Sequence, residues 1–289
     1  MNFIAIMIAL GVETFYKPIT HWRDYQWFTR YEQWMFNKLE GFAFRDSPLS
    51  VILIFGLVFV LTAVVATALY EFLAILGFLL ASLVLVYCLG PNDLDEDVQA
   101  YLHAIEHDDE EGAAHHADKV NGYTVTGEPN EVLQKVKEAI FIQGNTRMLG
   151  VLFWFVVLGP AGALLFRLSD VQNRAYMDQQ GEYAQANQRL FYILSWIPAR
   201  LSVLGYAVVG SFIDTMSKWQ GMSDFWQEDN NTLMIVSGAG ALQHDDDNEP
   251  ADEGLLDTSD ILEALSLVKR TIIFWLAVLA VLTLTGTFF

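Results

Sequence analysis

An arginine inside an apolar run is the first residue that asks for a chemical explanation. Arg200 lies in Trp196-Ile197-Pro198-Ala199-Arg200-Leu201, within the stretch from Phe191 to Ile213 that is long enough to cross a bilayer. A guanidinium there costs at least a few kcal/mol unless it is paired or reaches the headgroups. The residue serves either contact with an anion such as a phosphate or carboxylate, or a bland role as a snorkelling side chain or a structural ion pair. Pro198 frees a backbone carbonyl one turn earlier and so offers a structural partner as well. Arg167 ends a second such run, Gly159-Pro160-Ala161-Gly162-Ala163-Leu164-Leu165-Phe166. Gly159 and Gly162 let another helix approach closely, and Pro160 is placed to kink the segment. Helix packing alone explains Gly159, Pro160, Gly162 and Pro198. Glu138 and Arg147 precede the same run and are positioned to face Arg200 across a shared cavity.

Other residue types carry less. His103 and His107 are spaced i, i+4, with His115 and His116 further on and Asp108, Asp109, Glu110 and Glu111 between them. Paired histidines on one helix face suit a metal, but no third ligand stands at a defined spacing, and a solvated, charged helix end explains the cluster. There is no phosphate-cradling glycine loop, no nucleophile elbow and no Cys/His pair. Cys88 is the single cysteine, so no intramolecular disulfide can form, and it reads as a small buried hydrophobe. The residues therefore give no catalytic group, no metal site and no cofactor.

The elements that must position these arginines follow from the distribution of charge. Of 289 residues, 53% are hydrophobic and only 18% charged, against about a quarter in soluble domains. The net charge of −19 is crowded into a few stretches, leaving long charge-free runs between them. The expectation is an all-α, polytopic helical membrane protein with about five spanning helices, a short N-terminal interfacial or re-entrant helix, and helical inserts. Residues 1–48 hold a short apolar segment, Asn2 to Val12, and an aromatic amphipathic helix with Trp27, Tyr31, Trp34, Met35 and Leu39 on a stripe. Residues 49–90 form a transmembrane hairpin turning at Tyr70 and Glu71, and Pro91-Asn92 ends it. Residues 91–147 are a helical insert whose first helix shows Leu94, Val98, Tyr101, Leu102 and Ile105 on one face. Residues 148–213 are a transmembrane pair, 214–270 an acidic loop with its most flexible part from His244 to Asp257, and 271–289 a final spanning helix entered from a helix start at Asp260.

Basic residues near span ends set orientation. Segments 13–48, 91–147 and 214–270 hold most of them, including Lys17, Lys119, Lys135, Lys137, Lys218, Lys269 and Arg270, which places the large polar segments in the cytoplasm of a bacterial inner membrane. The lipid bilayer is thus one partner. The acidic polar face excludes nucleic acid, which needs many Lys/Arg contacts to phosphates.

Four words of the sequence resemble a known family. Glu138-Ala139-Ile140, Leu152-Phe153-Trp154-Phe155, the run from Gly159 to Arg167, and Trp196 to Leu201 resemble the CobD/CbiB family of membrane proteins. The N-terminal order of short apolar segment, His21-Trp22, aromatic helix and hairpin resembles its AmpE branch. The resemblance implies, for the cobalamin branch, ATP-driven joining of an amino-alcohol phosphate to a carboxylate of adenosylcobyric acid, chemistry that needs Mg²⁺ and acidic ligands. At the acidic and amide positions of the enzyme pattern this chain keeps Glu138 but has Ile142, Gln143 and Thr146. Phe191 and Tyr192 follow Arg189 where the enzymes carry two aspartates, and Met234 and Ile235 replace a proline and a glutamate before Ala239-Gly240-Ala241-Leu242.

The scaffold words remain while the acids are lost, so cobamide ligation is not expected. The basic positions persist, which makes Glu138, Arg147, Arg167, Arg189 and Arg200 the candidate set for an anionic small molecule. The resemblance implies an inner-membrane sensory or regulatory protein linked to β-lactamase induction and cell-wall recycling. Two alternatives stand beside it: a membrane enzyme that forms an amide or handles a phosphate-containing ligand with ATP, and a structural subunit of a homo-oligomer or membrane complex.

Overall fold

The computed structural model describes residues 2–15, 23–42, 44–89, 94–222, 225–242 and 258–285. Lys17, His21-Trp22, Pro91-Asn92 and the acidic tract 244–257 lie outside them. Every regular element among the described residues is helical: α1 (Asn2–Phe15), α2 (Gln26–Lys38), α3 (Pro48–Phe72), α4 (Ala74–Cys88), α5 (Leu94–Glu106), α6 (Glu110–Asn121), α7 (Pro129–Gly144), a π-helical turn (Asn145–Leu149), α8 (Gly150–Ala175), α9 (Glu182–Val209), α10 (Phe212–Gln220), α11 (Asn230–Leu242) and α12 (Thr258–Leu284). They divide into two compact units, one of 1–91 with 150–195 and one of 92–149 with 196–288.

In the first unit, α3 begins with Ser47 as N-cap, accepting from the Leu49 amide, and Pro48 in the first turn, where its missing N–H costs nothing. The helix continues through Tyr70 and Glu71, which carry no breaker. The turn falls instead at Leu73, held extended at φ −154°, ψ 110°, and Gly77 lets α4 return against Tyr70, whose Cα lies 2.7 Å from where a Cβ would stand. Outward residues of the hairpin, Ile52, Val60, Leu61, Val64, Leu79 and Leu83, are exposed, while Ile54, Phe55, Leu85 and Cys88 are buried. That is the pattern of helices solvated by lipid on one side. The helix α4 has 15 residues, about 22 Å at 1.5 Å per residue. The described helices long and apolar enough to cross a membrane are therefore four, Pro48–Phe72, Pro129–Ala175, Glu182–Val209 and Thr258–Leu284, with α4 a shorter apolar fifth.

The second of those segments is not a straight crossing. At Gly159 the backbone takes φ +67°, a region glycine enters without a Cβ penalty. A Cβ on Gly162 would lie 2.4 Å from the carbonyl oxygen of Trp154, and one on Gly150 would lie 2.2 Å from the ring of Phe166. In a straight helix residues eight and sixteen apart are about 12 and 24 Å apart. The chain therefore folds back at Gly159, and 150–158 and 160–175 are two short arms in contact. Pro160 starts the second arm rather than kinking a continuous one, because its ring suits a first helical position. The expected spanning helix over Leu149–Phe166 is replaced by this doubled segment.

The second unit is a helical domain with its own core. On α5, Leu94, Val98, Tyr101 and Leu102 are buried with Ile105 packed beside them, against Val136, Ile140 and Phe141 of α7, Leu233 of α11 and Ile261, Leu265 and Val268 of α12. Asp109 caps α6 by accepting from the Gly112 amide, and Gly122 closes it at φ 82°, as helix ends favour. The stretch 214–270 is not loop throughout: Ser211 caps α10, α11 packs Gly238 against the ring of Phe141, and α12 begins at Thr258 and runs on as one helix.

Candidate functional site

In the first unit, the arginine on the second arm of the doubled segment is fully committed to the protein. Arg167 is 1% exposed. Its Nε donates to the Cys88 carbonyl at 2.7 Å and its Nη1 to Asp170 Oδ2 at 2.8 Å. Asp170 also accepts from Arg174 Nε at 3.1 Å. Arg23 Nη2 donates to the Val86 carbonyl at 3.0 Å and the Tyr25 hydroxyl to the Tyr87 carbonyl at 2.8 Å. Two guanidiniums and a phenol thus satisfy successive carbonyls at the end of α4, where helix carbonyls lack partners and the helix dipole favours positive charge.

Nearby on α2 is a carboxyl group that sequence reasoning missed. Glu32 is 2% exposed and accepts from Tyr183 Oη at 2.5 Å, Gln172 Nε2 at 2.6 Å and Tyr176 Oη at 3.2 Å. Burial pushes its pKa up, and the hydrogen bonds from Tyr183, Gln172 and Tyr176 offset part of that rise. On the same helix Trp27 and Trp34 are exposed, whereas Phe28 is buried against Phe55 with ring centroids 5.1 Å apart. Arg189 is exposed on α9 and is not gathered with Arg167.

In the second unit, Arg147 sits in the π-helical turn and is buried. Its Nη1 donates to Asp97 Oδ2 at 2.8 Å, its Nε to Gln143 Oε1 at 3.1 Å and its Nη2 to the Lys119 carbonyl at 2.8 Å. Glu138, half-buried on α7, accepts from Gln134 Nε2 at 2.7 Å. Arg200 is 4% exposed. It donates to Asn230 Oδ1, to the carbonyls of Trp196 at 3.2 Å, Trp226 at 3.2 Å and Glu228 at 3.1 Å, and its Cζ stands 4.4 Å from the Trp196 ring centroid. Through these oxygens the guanidinium holds the 225–230 connection onto α9. The shared cavity expected for Glu138, Arg147 and Arg200 is not formed by these contacts: each side chain is taken up by its own neighbours.

The residues standing at the acidic positions of the cobalamin pattern fill ordinary structural places. Ile142 packs on the second unit's core. The Thr146 hydroxyl bonds back to the Ile142 carbonyl at 3.3 Å and to Gln143 Oε1 at 3.2 Å. The ring of Phe191 lies 5.8 Å from that of Phe166, Tyr192 is partly exposed and Ile235 is half-buried.

The match to known proteins agrees with the layout of these words along the chain. Residues 1–289 match the family model described as regulatory signalling modulator protein AmpE. The chain belongs to the AmpE family. It is similar to Protein AmpE of Shigella flexneri, 23% identical over 299 aligned positions that cover 99% of both chains. It is also similar to cobalamin biosynthesis protein CobD of Stutzerimonas stutzeri, 29% identical over 168 residues, or 56% of this chain and 55% of that one. CobD of Chromobacterium violaceum is 31% identical over 108 residues, 36% of this chain and 35% of that one. The alignments thus span about half or less of the CobD proteins, whereas the AmpE likeness runs end to end. No solved structure matches the chain. The AmpE family and the apolar helices together make this a helical membrane protein of regulatory type.

Proposed function

We propose that this protein acts as a non-catalytic inner-membrane regulator that couples the state of the cell wall to β-lactamase induction, with segments 91–147 and 214–270 facing the cytoplasm. The observation that carries the reading is the fate of the ligase pattern. Where the resembling enzymes hold acids, this chain has Ile142, Thr146, Phe191, Tyr192 and Ile235, of which Ile142 and Phe191 pack and Thr146 bonds locally. A magnesium nucleotide needs several hard oxygen ligands around its phosphates, and replacing the acids removes them together. Arg167 and Arg200, the basic residues of the two shared words, are bound to protein oxygens. Lys119, Lys135, Lys137, Lys218, Lys269 and Arg270 support the cytoplasmic placement.

The test has two arms. In cells, deletion is expected to change the β-lactam concentration at which β-lactamase is induced, and the intact gene to restore it; unchanged induction rejects the regulatory role. In mild detergent, the purified protein is expected to show no Mg²⁺-dependent ATP hydrolysis. Saturable turnover abolished by Glu138→Gln would make it an enzyme.

A further inference from the structure

We propose that the first unit carries a binding site for a small zwitterion of amino-acid to dipeptide size, between the end of α2, the 45–46 turn and the start of α9. A cavity of about 530 Å³ opens there, lined among others by Gln33, Asn37, Arg45, Asp46, Glu182 and Tyr183. The volume is ample for a dipeptide and at the small end of ordinary ligand pockets.

The charges on its wall are of both signs, and no ion pair among the described residues consumes them. Arg45 is half-buried, its guanidinium lies 5.6 Å from the Phe36 ring centroid, and its Nε is buried without a hydrogen-bond partner. No ion pair engages it among the described residues. Because Nε is enclosed by protein, a ligand meets the guanidinium from its terminal nitrogens, and a planar carboxylate is the group that suits them. Asp46 and Glu182 are exposed on the same wall and suit an ammonium. Gln33 and Asn37 supply amide donors and acceptors for a peptide bond. The back of the cavity is fixed: the Tyr183 hydroxyl is tied to buried Glu32 at 2.5 Å and its ring lies 4.5 Å from that of Phe36. One cation, two anions and neutral amides on a firm aromatic base fit a molecule with separated carboxylate and ammonium ends better than a simple anion. This inference is independent of the regulatory reading above.

The experiment is calorimetric titration of the full-length protein in mild detergent with the dipeptide Ala-Gln, and with acetate, ethylamine and inorganic phosphate as single-charge probes. Saturable binding of the dipeptide is expected, weakened about tenfold or more by Arg45→Gln, which is about 1.4 kcal/mol or more. Gln180→Trp, at the exposed mouth of the cavity, is expected to block binding without altering the charges, and covers the case in which Arg45→Gln fails to fold. Absence of saturation up to about 10 mM, equal binding of phosphate or acetate, or undiminished binding in Gln180→Trp would each overturn the proposal.

Discussion

Arg147 Nη1 and Asp97 Oδ2 lie 2.8 Å apart, and both side chains are under 10% exposed. The pair joins the π-helical turn to α5 across fifty residues of sequence. Removing one partner leaves the other charged and desolvated, a loss of about 3–5 kcal/mol. Arg147→Leu and Asp97→Leu are each expected to lower the midpoint of thermal unfolding in detergent strongly. The double replacement should cost clearly less than the sum, and strict additivity would show that the pair does not interact.

The doubled segment at Gly159 makes a second prediction. Gly162→Ala places a methyl 2.4 Å from the Trp154 carbonyl, and overpacking against backbone costs about 1–3 kcal/mol. Gly159→Ala adds a Cβ at φ +67°, ψ −156°, which costs about 1–3 kcal/mol. Gly56, with nothing within 4 Å of its Cβ position, is the control: Gly56→Ala should be neutral or stabilise α3 by up to about 1 kcal/mol. Unfolding in a graded series of denaturing detergent would rank the three, and a harmless Gly162→Ala would reject the reversal.

Arg200 ties the 225–230 connection to α9. Arg200→Leu is expected to leave membrane insertion intact, to expose the 225–230 connection to limited proteolysis and to abolish function in a complementation assay. Arg200→Lys should rescue only in part, because an ammonium has no planar fork to reach Asn230 and three carbonyls together. Wild-type proteolysis of Arg200→Leu would show that the guanidinium does not hold the connection.

For Glu32 the sign follows from its raised pKa. The folded state binds the proton more tightly than the unfolded chain, so the contribution to stability is fully present below the ordinary carboxyl pKa of 4.5. It is lost as pH rises through the raised folded value. Thermal midpoints of the wild type should therefore fall across that window, and Glu32→Gln should flatten the dependence. An unchanged slope in the variant would assign the titration elsewhere.

What the sequence made legible was governed by range. Membrane spans and the short apolar α1 depend on local composition, and the face of α5 was readable from spacing alone. Spacing could also have paired Asp170 with Arg167, three residues before it, and with Arg174, four after, since such residues share a helix face. The partners of Arg147 and Arg200 were not readable, since Asp97 and Asn230 are distant in sequence and α5 and the 225–230 connection must fold before they arrive. Glu32 was hidden for another reason: it sits among Trp27, Tyr31 and Trp34 on a helix whose buried face is set by Phe28 rather than by its tryptophans. The Gly159-Pro160 dipeptide carried the reversal in plain sight, but a hydropathy run counts residues and does not register a change of direction.

The turn at Gly159 also constrains the order in which the molecule can be assembled. Where two helical arms meet, the last carbonyls of one and the first amides of the other have no partners along the chain, and acyl tails offer none. Such a bend persists in oil only if protein already surrounds it. Ala63, Thr67 and Tyr70 of α3 and Gly77 and Phe78 of α4 line the space beside Leu158, Gly159 and Pro160. The earlier hairpin is therefore the mould in which the later bend is cast, and a ribosome delivers the two in that sequence.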